Sequence, residues 1–103
     1  MSEDMNFPKS ENKYAVDCLK SRKLKVATAE SCTAGMISKS ITDVSGSSSV
    51  FEMGVSAYSN EIKKKILSVP EEILEKHTAV SAETAAYMAL GVLKASGADL
   101  GIS

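Results

Sequence analysis

The chain contains no tryptophan, one histidine, two cysteines and two prolines, and its only aromatic residues are three tyrosines and two phenylalanines. Each scarcity excludes something. With so few aromatics, and none interleaved with a basic run, the usual surface for single-stranded RNA is absent. Cys18 and Cys32 form no CxxC pair, and together with His77 they cannot assemble a standard structural zinc site by themselves. Reduced thiols fit a cytoplasmic protein. No apolar run approaches the ~18 residues that suggest a membrane span. The N-terminal stretch "MSEDMNFPKSENK" is polar and acidic and lacks the apolar centre of a signal peptide. A net charge of −1 gives no global field to attract nucleic acid or an anionic membrane. Neither is expected as a partner, although a local anion site remains compatible with this balance.

What is present is ordinary for a soluble globular domain: 44% hydrophobic and 24% charged residues over 103 positions. That length favours one domain with a core that needs no disulfide or metal. Residues 1–9 read as a flexible tail. Ser10 reads as the N-cap of an amphipathic helix over 10–21, carried by Tyr14, Ala15, Cys18 and Leu19. "LKVATA" (24–29) reads as a buried strand, and Met36, Ile37, Ser40 and Ile41 share one face of a following helix. A Gly-Ser loop leads to a second strand within 49–59. Asn60 is expected to cap "EIKKKILS", with Ile62 and Ile66 facing the core. Pro70 starts "PEEILEKH". Ser81 caps a longer helix with Ala85, Met88, Ala89, Val92 and Leu93 as its apolar stripe, and Gly97 stands where a C-cap glycine belongs. "ADLGIS" begins a last strand. The order α-β-α-β-α-α-α-β predicts a layered α/β domain. A final strand with nothing after it suggests a fragment or shortened relative, and its open edge favours self-association.

The chemistry-bearing candidates lie where strands turn into helices, at the edge where open α/β folds bind ligands. Ser31 and Cys32 sit side by side in "ESCTAG". A serine there, with helix N–H groups nearby, can act as a nucleophile. Capping alone would equally explain Ser31 or Thr33. Cys32 is the stronger nucleophile when ionised, but it is also a common small packing residue, and packing is the favoured reading. A serine nucleophile needs a proton acceptor. His77 is the only histidine available for a triad. The alternative is a lysine, and Lys63 of "YSNEIKKKIL" would be the third helical residue after Asn60, where the helix dipole disfavours a protonated amine. Lys64 and Lys65 point elsewhere and read as a solvated face. Tyr58 ends its strand at the same kind of edge and can orient groups or relay a proton. "SGSSS" (45–49) can hydrogen-bond a phosphate, although such loops are more often connectors. No dinucleotide fingerprint or P-loop is present.

Three blocks, "AESCT", "GSS" and "YSNE-K", agree in order and spacing with the CinA (competence/damage-inducible protein A) C-terminal domain family, which includes the PncC-type nicotinamide-nucleotide amidases. Residues 10–103 resemble that domain. The resemblance implies a three-layer α/β/α sandwich, here incomplete at its C-terminal end. It implies hydrolysis of the carboxamide of nicotinamide mononucleotide, giving nicotinic acid mononucleotide and ammonia, without metal or cofactor, in pyridine nucleotide salvage. It implies Ser31 as nucleophile, Lys63 as general base and Tyr58 in support. Backbone donors around Cys32 and Thr33 would form an oxyanion hole. Thr33, Asn60, Ser47 and Ser48 are ligand-side candidates. Two departures stand out. Met53 occupies a position where many relatives carry arginine. The family also continues past the "GIS" strand into a glycine-rich loop, further strands and a basic substrate-binding residue. The alternative expectation is therefore a truncated, catalytically inactive nucleotide-binding or interaction module of the same family.

Overall fold

The computed structural model describes residues 7–31 and 35–103. The predicted alternation of elements is observed: α1 (Phe7–Arg22), β1 (Val26–Glu30), α2 (Met36–Thr42), a 3₁₀ turn (Ser47–Ser49), β2 (Phe51–Ser56), α3 (Asn60–Leu67), α4 (Glu71–His77), α5 (Ala82–Ser96) and β3 (Leu100–Ile102). The three strands are parallel, in the order β2-β1-β3. The central strand β1 is buried at every position. A strand covered on both faces cannot show the apolar-polar alternation of a half-exposed one, which is why "VATAE" reads as a short run of small residues.

Alternate side chains of β1 identify the two covering layers. Ala27 and Ala29 belong to a core cluster with Leu67, Val69, Leu74, Met88 and Val92, contributed by α3, α4, α5 and the α3–α4 connection. Thr28 and Glu30 point the other way and bond to Ser38 of α2, and α1 packs beside α2 on the same face, where Val16 is fully buried. The architecture is therefore a three-layer α/β/α sandwich, with α5 as the central helix of one layer. Ser81 caps α5, its hydroxyl accepting from Thr84 N at 3.1 Å, and Gly97 ends it with φ 73. Gly91 sits where α5 meets α3. A Cβ at that position would lie 2.0 Å from the carbonyl oxygen of Leu67, so the two helices touch backbone to backbone.

Several sequence expectations require correction. α1 begins at Phe7 and not after Ser10. Pro8 is tolerated in a first turn because the N–H it lacks would have no intrahelical partner there; residues 1–6 lie outside the described residues. β1 starts two residues later than expected. Lys23 adopts φ 58, and Leu24 N bonds to Leu19 O at 3.0 Å, so this stretch closes the end of α1 before the strand begins. α3 is capped by Ser59, whose hydroxyl accepts from Ile62 N at 3.2 Å. Asn60 is thus the first helical residue and Lys63 the fourth. The inward face of α3 also differs: Lys63 and Leu67 are buried, whereas Ile62 is 36% and Ile66 46% exposed. The contact of Leu67 with Gly91 selects that face, because only there can α3 approach α5 so closely.

Candidate active site

The turn after β1 is built around a residue that sequence reasoning did not single out. Glu30, 3% exposed, ends β1. Its carboxylate accepts from Ile37 N at 2.7 Å, and from Ser38 N and Ser38 Oγ at 3.0 Å each. Its carbonyl accepts from Ala57 N at 2.7 Å, which continues the pairing of β1 with β2 past the end of the ladder. One residue thereby ties the central strand to its neighbour and to the first turn of α2. The N-cap position of α2 belongs to Gly35, at φ 97, and no side chain at that position caps the helix. The Glu30 carboxylate supplies the missing acceptors, where the helix dipole favours negative charge. The sequence signal was a glutamate at the end of a buried strand, since buried carboxylates are almost always bonded.

Ser31 follows immediately. Helix capping, which could have explained this serine, is not its role, because α2 starts five residues later at Met36. Its side chain is half-buried and makes no hydrogen bond among the described residues. Cys32 and Thr33 lie outside the described residues. Ser31 opens onto a cavity of about 240 Å³ lined by the apolar Ala29, Ile37, Ala79, Val80, Ala85 and Met88 and by the polar Glu30, Ser31, Ser81 and Ser103. Few polar groups in an apolar cleft is the ordinary constitution of a small-molecule site.

Lys63 is 2% exposed, and no hydrogen bond or ion pair to its amine is found among the described residues. It lies one turn before Leu67 on the buried face of α3, the helix that leaves the sheet edge at which Ser31 stands. It does not line the cavity, and no hydrogen bond joins it to Ser31. Tyr58 reaches the same edge but is 90% exposed, and Asn60 is exposed at the start of α3. Ser47 and Ser48 are not brought to Ser31. They precede β2 and stand at the opposite edge, a strand length of roughly 17 Å away. Ser47 is buried, with its N–H on Val44 O at 3.1 Å. His77 faces Glu83, with Nδ1 3.7 Å from the carboxylate, and does not line the cavity. Among the described residues no cluster of three or more His, Cys, Asp or Glu is placed to hold a metal ion. No described helix is long and apolar enough to cross a membrane.

Known proteins resemble this chain in sequence and in fold. The chain is 51% identical over 85 residues to the nicotinamide-nucleotide amidohydrolase PncC of Escherichia coli K12, a stretch covering 82% of this chain and 52% of that protein. It is 53% identical over 87 residues to a CinA-like protein of Chloroherpeton thalassium, covering 84% of this chain and 21% of that one. The chain thus spans about half the length of the first relative and about a fifth of the second. Among solved structures, the competence/damage-inducible protein CihA of Agrobacterium tumefaciens superposes with a TM-score of 0.85 at 34% identity, covering 97% of this chain and 59% of that one. A CinA superfamily protein of Escherichia coli gives 0.88 at 29%, covering 96% and 58%. The family model described as the CinA C-terminal domain matches residues 9–103, and the chain belongs to that family.

Proposed function

We propose that this domain is an amidohydrolase that converts nicotinamide mononucleotide and water into nicotinic acid mononucleotide and ammonia, by a serine nucleophile and a lysine base, within pyridine nucleotide salvage. The observation that carries the reading is Lys63: a lysine 2% exposed, with no partner among the described residues, on the helix that follows the strand beside Ser31. Buried lysines of this kind are used as general bases. The name of the Escherichia coli relative, nicotinamide-nucleotide amidohydrolase, supports the substrate.

In this reading the Lys63 amine takes the proton of Ser31 Oγ as the oxygen attacks the carboxamide carbon. The tetrahedral intermediate carries its negative charge on the former carbonyl oxygen, toward backbone donors around Cys32 and Thr33. Its collapse breaks the carbon–nitrogen bond, and the ammonium of Lys63 returns the proton to the leaving nitrogen. Water, deprotonated by the same amine, then cleaves the ester and restores Ser31. In this reading the hydrogen bond between Lys63 and Ser31 forms only with substrate bound, as is common for catalytic hydrogen bonds. Tyr58 orients the pair. Asn60 and Thr33 are assigned to the ligand side, whereas Ser47 and Ser48, at the opposite edge of the sheet, are not.

Ammonia release from nicotinamide mononucleotide tests the reading. Ser31→Ala and Lys63→Ala are each expected to lower turnover by about a thousandfold or more. Unchanged turnover in both variants removes the proposed pair. Calorimetric binding of the nucleotide with no product after long incubation would favour a non-catalytic nucleotide-binding module instead.

A further inference from the structure

The four residues joining α4 to α5 form part of the wall of the cavity that Ser31 opens onto, through Ala79, Val80 and Ser81. The first of the four, Thr78, has φ 68 and ψ 170. A β-branched residue adopts that conformation only where its surroundings over-determine it, and such outliers gather at ligand clamps and active sites. The restraints are visible. The Thr78 carbonyl accepts from Thr84 Oγ1 at 2.6 Å and from Ser81 Oγ at 3.3 Å. The Thr78 hydroxyl lies 3.3 Å from Val80 N and 3.2 Å from Val80 O. Thr84 is fully buried in the first turn of α5, so the loop is fastened from inside.

The consequence falls on Val80. Ala79 packs against the core cluster, while Val80 stays 73% exposed even though it lines an apolar cavity. A valine on a relaxed loop would fold into that cavity and bury itself. Held by the Thr78 turn, it leaves the space open and presents an unburied apolar surface to whatever enters. The remaining apolar lining is Ala29, Ala79 and Ala85 with the larger Ile37 and Met88. A mostly apolar cavity with one unburied aliphatic wall favours a planar ring, which can lay a whole face against that wall, over a compact aliphatic group. Preorganising that wall removes an ordering cost from binding.

We propose that Val80 is a specificity-determining residue that lies against one face of the heteroaromatic ring of the amide substrate, and that Thr78 is the positioning residue that holds it there. The assignment rests on the amidohydrolase reading for its substrate class. It makes the site selective for aromatic carboxamides over aliphatic ones.

The test uses the full chain with isotope-labelled valine methyl groups, titrated with nicotinamide mononucleotide, with ribose 5-phosphate as the ring-free probe and with propionamide as the aliphatic amide. The Val80 methyl resonances are expected to move by ring-current shift with the nucleotide alone. Stationary methyls at saturation, equal movement with ribose 5-phosphate, or no binding of the nucleotide overturns the proposal. In kinetics, Val80→Ser is expected to raise KM by about tenfold with kcat nearly unchanged, and Val80→Ile to retain the KM of the parent chain. An equal fall in kcat for Ser and Ile overturns it, because a merely structural role would not spare the conservative change. The two readings fail separately. Ammonia release that is absent or indifferent to Ser31→Ala sinks hydrolysis while the methyl shifts still decide the ring wall. Ser31-dependent release with stationary Val80 methyls sinks the ring wall alone.

Discussion

Replacing Lys63 by methionine should make the protein more stable and, at the same time, inactive. The Lys63 side chain is 2% exposed and its amine has no hydrogen bond or ion pair among the described residues. Methionine keeps an unbranched chain of similar length and nearly equal helix propensity, so the apolar burial and the helix are preserved. What disappears is an amine with no partner among the described residues and only a sliver of solvent contact, and a polar group so placed costs about 1–3 kcal/mol in protein mutational data. The expected gain is therefore about 2 kcal/mol, which for a domain of this size raises Tm by roughly 10 °C. Urea unfolding followed by circular dichroism measures it, with an unchanged slope showing that the two-state transition is preserved. Lys63→Ala serves as the opposite control. It also removes the amine, but it empties the space of the stem, and large-to-small changes cost about 2–5 kcal/mol, so its net effect should be destabilising. Equal or lower stability in Lys63→Met would mean that the amine is held by a partner, and the reasoning from an unpaired base would fail. Gain of stability with loss of turnover is the pattern of a residue kept for function.

Three further perturbations address the scaffold. Glu30→Gln leaves one amide oxygen where two carboxylate oxygens accept at least three bonds, so urea unfolding should show a loss of about 2–3 kcal/mol. The exposed Lys39–Asp43 pair at 2.7 Å is the contrast, and Asp43→Asn should cost about 0.5 kcal/mol or less. Gly91→Ala brings a Cβ to 2.0 Å from Leu67 O and 2.9 Å from Leu67 Cα, atoms that cannot swing aside. Thermal unfolding should register about 3 kcal/mol of destabilisation, and ammonia release should fall because α3 carries Lys63 away from its place. At Thr78, alanine keeps the strained φ while glycine accepts it, so Thr78→Gly should be more stable than Thr78→Ala by about 1–2 kcal/mol in paired denaturant titrations.

The parts of this molecule legible in the sequence are those decided by a few neighbouring residues. The Ser81 cap, the Gly97 stop and the alternation of strands with helices depend on hydrogen bonds within a turn or on local periodicity, and the structure agrees with all three. The stripe on α5 is likewise local, and Met88 and Val92 are buried as expected. α3 behaves otherwise. Its apolar residues Ile62 and Ile66 suggest an inward face by periodicity, yet the helix buries Lys63 and Leu67. No local rule contains the reason, which is a glycine on α5 more than twenty positions away in sequence. Glu30 was equally hidden, because a glutamate gains its meaning here only when α2 folds back over β1 and offers N–H groups to it.

By itself the sequence determined the fold class, the family and the identity of Ser31 and Lys63 as the pair to consider, since motif order and spacing are properties of the chain. The tertiary structure alone decided that Ser31 is free of any capping role, that the carboxylate of Glu30 organises its turn, that the Lys63 side chain lies on the buried face of α3, and that the Thr78 turn fastens the loop that puts Val80 on the cavity wall. The physical reason is common to all four. Burial and hydrogen-bond partnership are set by which segments distant in sequence come into contact, and a residue's chemistry follows from that environment more than from its neighbours along the chain.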